Sequence, residues 1–245
     1  MWSFVYKMGS PKFCYKWAAR MRPWAMSVCI VALLAGLVDG LGFAPADYQQ
    51  GDSYRIMFIH VPAAVMSLGI YSLMATSAVF FLIWKIKVSD IIAQACAPLG
   101  ALFALLTLIT GSLWGKPTWG TFWIWDARLT SELILLFIYL GIIALRTSMP
   151  TKQAAAKATA VMTIIGMVNI PIIHYSVYWW NTLHQGATIL KLGKPEIASA
   201  MLYPLLWMLA SYAAFFIWVL AVRVQTELLH RERKSQWVQT LLEIN

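Results

Sequence analysis

Residues 91–145 read "IIAQACAPLGALFALLTLITGSLWGKPTWGTFWIWDARLTSELILLFIYLGIIAL", two apolar runs on either side of a tryptophan-rich segment. The first run, 91–113, crosses roughly 30 Å of hydrocarbon at about 1.5 Å per helical residue; the second, 129–145, is at the short limit for doing so. Four further runs of the same kind flank them, at 24–43, 57–84, 158–180 and 201–222. The chain has 245 residues, 60% of them hydrophobic and 12% charged, with mean hydropathy +0.68. That is too apolar for a soluble domain, and six spans leave no length for a second one. The expected fold is an all-α polytopic membrane protein with six transmembrane helices. The 57–84 run exceeds what a bilayer needs, so part of it projects or tilts.

The net charge of +9 is first a statement about topology and gives no ground for a nucleic-acid partner. Lys7, Lys12, Lys16, Arg20, Arg22, Lys85, Lys87, Arg146, Lys152, Lys157, Arg223, Arg231, Arg233 and Lys234 fall on one side of the spans. Arg55, Lys116, Arg128, Lys191 and Lys194 fall on the other. The positive-inside rule then places both termini in the cytoplasm and the connections 44–56, 114–128 and 181–200 outside. The first span is read as retained, because its basic leader is long and five spans follow. No linker, low-complexity tract or repeat interrupts 1–245, which reads as one membrane domain. The tail, 223–245, mixes charges with Leu228, Leu229 and Trp237 and reads as a cytoplasmic surface helix. Pro62, Pro98, Pro171 and Pro204 are expected to kink their helices. Asp39 and Glu132 read as polar groups at the outer edges of spans one and four.

The segment 114–130, "WGKPTWGTFWIWDARLT", admits two readings. Trp114 and Trp125 flank spans and suit a belt at headgroup depth. A belt does not account for Trp119 and Trp123, which share one face if the segment is helical and would form a flat apolar platform for a planar ligand. Asp126 suits the N-terminus of the fourth span as a cap.

The run Trp119-Gly120, Trp123, Trp125-Asp126, Arg128-Leu129-Thr130-Ser131 resembles the "WWD" signature of the haem-handling superfamily of cytochrome c maturation. Six spans and the short length resemble its CcmC (haem exporter protein C) family over nearly the whole chain. The resemblance implies haem b bound without a covalent link on the periplasmic side of a bacterial inner membrane. It further implies delivery to the chaperone CcmE beside the ABC transporter subunits CcmA and CcmB and the small subunit CcmD. Cys14, Cys29 and Cys96 supply no C-x-x-C-H attachment site and no outer disulfide.

Haem iron held without a thioether needs axial ligands, and imidazole is a common one. Of the four histidines, His230 lies in the tail, on the wrong side. Counted along straight helices, His60 stands roughly 38 Å above Lys85 and His184 roughly 40 Å above Lys157, while His174 stands only roughly 25 Å up. His60, in "HVPAA", and His184, in "NTLHQG", are therefore the expected ligand pair, and both are similar to the family's ligand sites. His174 is a candidate for orienting a ligand from below. Arg55 and Arg128 are the candidate propionate partners, since a planar guanidinium suits a carboxylate; Arg55 alternatively marks only the border of span two. Trp179 and Trp180 lean to the belt. No acid–base or nucleophile constellation appears, so an enzyme is not expected. Two other classes remain, a b-type electron-transfer cytochrome and a haem-translocating permease. The first would need a ligand pair within the bilayer, and a second haem for a transmembrane path. The second would need a polar path through span interiors that offer almost none.

Overall fold

A computed structural model describes residues 9–184, 186 and 197–243; Lys7, Lys191 and Lys194 of the charge count lie outside the described residues. Six segments in it are helical, long and apolar enough to cross a membrane, and the protein is a multi-pass membrane protein. Helix α1, Pro11–Leu37, continues into a π-helical turn, Val38–Phe43. A 3₁₀ turn, Asp52–Ile56, leads directly into α2, Met57–Trp84, which accounts for the excess length of the second apolar run. Helix α3 spans Lys87–Trp119 and α4 spans Ala127–Ser148. The fifth crossing is split into α5, Lys152–Gly166, and α6, Asn169–Trp179. Helix α7, Ser199–Arg231, is followed by the short α8, Gln236–Glu243.

Pro62, Pro98, Pro171 and Pro204 differ in their effect on helix continuity. Helical structure runs unbroken through Pro62, Pro98 and Pro204. The break falls instead at 167–168, one turn before Pro171, which has no N–H to offer the Met167 carbonyl. Ile170 N–H reaches that carbonyl at 3.1 Å, and the Met167 N–H turns to Ile164 at 3.2 Å. The buried Tyr71 hydroxyl donates to the Thr163 carbonyl at 2.9 Å just before the break. A Cβ on Gly166 would collide with that hydroxyl.

The core lies between α2, α3, α4 and α6 and is centred on Tyr71, Tyr139, Met74, Leu135 and Ile173. Close approach of α3 to α4 depends on Gly100, where a Cβ would sit 2.1 Å from the Tyr139 ring. The Tyr139 hydroxyl donates to the Ser67 carbonyl at 2.7 Å, so a buried phenol is satisfied without water. Helices α1 and α7 pack along each other, with Gly36 against Met208 and Gly40 against Phe58 and Pro204.

One end of the bundle carries the tryptophan segment. The other is closed by a polar clamp around Asp90 on α3. Its Oδ1 and Oδ2 accept from Arg146 at 2.6 and 2.8 Å, and Oδ2 accepts from Arg231 at 2.7 Å. Gln94 Oε1 accepts from both arginines, at 3.0 and 2.6 Å. Arg231 also pairs with Glu227 at 2.6 Å. Beyond the clamp, α8 folds back and places Trp237 against Tyr15, so the tail is helical and docks on the bundle.

Candidate functional site

At the tryptophan end, α3 does not continue through the segment. It stops at Trp119 because Gly120 adopts a left-handed conformation (φ +79°), its N–H bonding Lys116 O at 3.0 Å. Residues 120–126 are non-helical, and α4 begins after Asp126. The shared helical face expected for Trp119 and Trp123 is therefore absent: Trp119 is the last residue of α3, and Trp123 lies in the loop. There Trp123 meets Trp125 edge-on, centroids 5.4 Å apart, with the Trp123 indole N–H buried and without a hydrogen-bond partner among the described residues. Trp125 itself is 75% exposed.

The two expected ligands meet. A cavity of about 480 Å³ opens between α2, α3, α4 and the 180s loop, lined by His60, Thr107, Gly111, Arg128, Glu132 and His184 among others. His60, in the first turn of α2, lies 3.1 Å from both the Thr107 carbonyl and the Thr110 hydroxyl through Nδ1. A carbonyl only accepts, so Nδ1 carries the proton and Nε2 keeps its lone pair. Gly111 leaves room for this ring; a Cβ there would stand 2.9 Å from His60 Cε1. Trp114 packs edge-on against the same imidazole at 5.7 Å and is itself held by Gln50, which accepts its indole N–H at 2.7 Å.

His184 is arranged in the same way by different means. A short loop presents it, the His184 N–H reaching Thr182 Oγ1 at 3.2 Å. Its Nδ1 donates to Asp126 Oδ2 at 3.2 Å, again leaving Nε2 unprotonated. Trp119 backs the ring edge-on at 4.7 Å. Burial pushes the His184 imidazole below its ordinary range; Asp126 pulls it upward and Arg128 pushes it further down. Asp126 is also the N-cap of α4, as its place in the sequence suggests, accepting Leu129 N–H at 2.8 Å through Oδ1.

The two candidate arginines differ sharply. Arg55 is engaged on all sides: with Asp52 at 2.9 Å, with the Ala44 carbonyl at 2.9 Å and with the Gly40 carbonyl. Its geometry is that of a clamp holding the 38–56 connection to α2. Arg128 is half-buried in the cavity wall and makes no side-chain hydrogen bond among the described residues. Its positive charge faces Glu132 and Asp126 without contacting either.

Glu132 lies one turn into α4. It is buried in the cavity floor, where the Ser67 hydroxyl lies 2.9 Å from its Oε1. Thr107, Thr110, Gly111, Ser67 and Glu132 went unrecognised as site residues, because their partners lie on other helices. His174 contacts Tyr175 and is not among the described cavity-lining residues. Trp179 and Trp180 are exposed and cluster with Tyr175, away from the cavity.

Residues 4–239 match the family model described as CcmC, Heme exporter protein C. The chain belongs to the Heme exporter protein C family. It is 48% identical to the Heme exporter protein C of Haemophilus influenzae over 241 residues, covering 98% of each chain. It is 45% identical to that of Escherichia coli K12 over 242 residues, covering 99% of this chain and 98% of the relative. It is also 49% identical over 197 residues to a putative cytochrome c biosynthesis ccmC-like mitochondrial protein of Marchantia polymorpha, covering 79% and 82%. The match to the Heme exporter protein C family takes in both histidines, Arg128 and the whole tryptophan segment.

Proposed function

We propose that this chain holds haem b non-covalently in the cavity between His60 and His184 and presents it for cytochrome c maturation. The observation that carries the reading is the pair of imidazoles lining one cavity, each with Nδ1–H engaged, beside an arginine with no side-chain hydrogen bond among the described residues. Neutral imidazole nitrogens of that kind suit an iron's two axial positions. Apolar walls from Ala64, Leu68, Leu108, Leu129 and Ile173 beside these polar groups suit a flat, largely apolar ligand with charged substituents.

In this reading His60 and His184 are the axial ligands. Thr107, Thr110 and Asp126 fix their tautomers. Arg128 receives a propionate through its planar fork. Arg55 contributes by holding the 38–56 connection in place. Trp114 and Trp119 stiffen the ligand rings from behind, and Trp123 and Trp125 form the exposed rim against which a haem edge rests. The buried Trp123 N–H supports a bound acceptor at that rim. Haem when bound supplies the iron and the conjugated ring; the chain itself supplies position, charge balance and exclusion of water.

The charge asymmetry supports a cytoplasmic clamp end and a periplasmic haem end in the bacterial inner membrane. The haem would pass to the chaperone CcmE, with CcmA, CcmB and CcmD as companions. The deciding experiment is a visible spectrum of the purified protein. Wild type and His230→Ala are expected to show the same bis-imidazole haem, and His60→Ala with His184→Ala to lose it. A normal spectrum in that double variant would end the ligand assignment.

A further inference from the structure

A second cavity, of about 620 Å³, lies toward the clamp end and takes no part in the site above. Its wall is apolar, with Met74 and Phe81 from α2, Ala97 and Pro98 from α3, Ile142 from α4 and Ala160 from α5. Its polar groups include Asp90, Gln94, Arg146 and Arg223.

Of the charged groups of this cavity and the adjoining clamp, all but one are paired among the described residues. Asp90 and Glu227 offset Arg146 and Arg231, and Gln94 takes up further N–H groups of both arginines. Arg223 is left over. It is exposed, and it makes no hydrogen bond or ion pair among the described residues. It stands where the apolar run of the sixth span ends, eight residues, or about 12 Å, before Arg231 along α7. At the end of an apolar run, an arginine on a long stem reaches lipid headgroups.

A largely apolar chamber whose border carries a cation unpaired among the described residues fits a ligand with the same asymmetry. We propose that this cavity binds an anionic membrane phospholipid, one acyl chain lying between α2, α3, α4 and α5 and the phosphate on Arg223. Free phosphate has no apolar body to occupy the chamber. Haem is also an anionic amphiphile, but no histidine is among the described lining residues. A chain in the chamber restores the contacts that its lining side chains otherwise lack.

The test uses the full-length chain in detergent, read by native mass spectrometry and thermal unfolding. Dioleoylphosphatidylglycerol is expected to be retained at one per chain and to raise Tm, while dioleoylphosphatidylcholine and inorganic phosphate do neither. Arg223→Gln is expected to lower retention of the anionic lipid roughly tenfold, the weight of one charge-assisted contact, and Arg223→Lys to preserve most of it. Ala97→Leu, which fills the chamber, is expected to abolish retention; if that variant does not fold, the Arg223 pair decides. Equal retention of the two lipids, or undiminished retention by Arg223→Gln, overturns the proposal. Stabilisation by phosphate alone reduces the site to an anion contact and overturns the acyl chamber. Haemin binding that survives loss of His60 and His184 but not of Arg223 assigns the cavity to haem and overturns it as well.

Discussion

Asp126 divides its carboxylate between a helix and His184: Oδ1 accepts the Leu129 N–H at 2.8 Å, and Oδ2 accepts His184 Nδ1–H at 3.2 Å. One side chain thus starts α4 and orients a ring 58 residues away. The two roles are separable. Asp126→Asn keeps a good cap and loses the anionic acceptor; Asp126→Ala loses both. The alanine variant is expected to cost about 1 kcal/mol of stability beyond the asparagine one. Both are expected to weaken haem affinity by about 10- to 100-fold, measured by haem titration of the purified apoprotein. Wild-type affinity in both would remove Asp126 from the site.

The His184 environment sets a pH dependence. Burial holds its imidazole below the ordinary value of 6.5, with Asp126 acting against burial and Arg128 with it. A protonated imidazole cannot bind iron, so ligation through His184 persists below pH 6.5 and fails as pH falls through the lower, folded value. The unfolded chain takes up its proton first, so the apoprotein also loses stability as pH drops below 6.5. Arg128→Gln is expected to move the spectral midpoint to higher pH, and Asp126→Asn to lower pH. Coincident midpoints in the three proteins would contradict the assignment.

Arg55 and Arg128 should separate cleanly by experiment. Arg128→Gln is expected to lower haem retention with little change in Tm. Arg55→Gln is expected to cost about 2 kcal/mol, because its guanidinium holds the Gly40 and Ala44 carbonyls, and to expose the 38–56 connection to protease. The opposite pattern would make Arg55 the propionate partner.

Gly111 offers a way to disturb His60 without removing it. Gly111→Ala sets a methyl against Cε1 and is expected to displace the ring, converting the bis-imidazole spectrum to a one-histidine form at normal protein level. Gly100→Ala, against Tyr139, is expected to destabilise the fold by about 1–3 kcal/mol instead. Gly69→Ala meets no atom within 4 Å and serves as the control.

The six crossings were legible because each apolar run is as long as a bilayer is thick. Their ends were not, since helices continue past the hydrocarbon: α3 begins at Lys87 and ends at Trp119, where hydropathy alone marks 91–113. That His60 and His184 line one cavity was also reachable, because distance from a charged border converts to height along a helix. The place of Glu132 in the cavity was not legible: its partner Ser67 is on another helix, and no local pattern reports that. The helical pairing of Trp119 with Trp123 failed on a signal that was present. Gly120 stops a helix and Asp126 starts one, and those two residues bracket the loop.

The clamp at the other end has a consequence for biosynthesis. Asp90 is 56 residues ahead of Arg146 and 141 ahead of Arg231. At about 5–20 residues per second, the ribosome delivers the first partner about 3–11 seconds after the acid and the second about 7–28 seconds after it. The third helix therefore enters the membrane carrying a carboxylate whose neutralising groups do not yet exist. A nascent chain that stops within α7 lacks Arg231 and leaves Asp90 with Arg146 as its one arginine partner, so the clamp closes only when the last residue of the last crossing has been made.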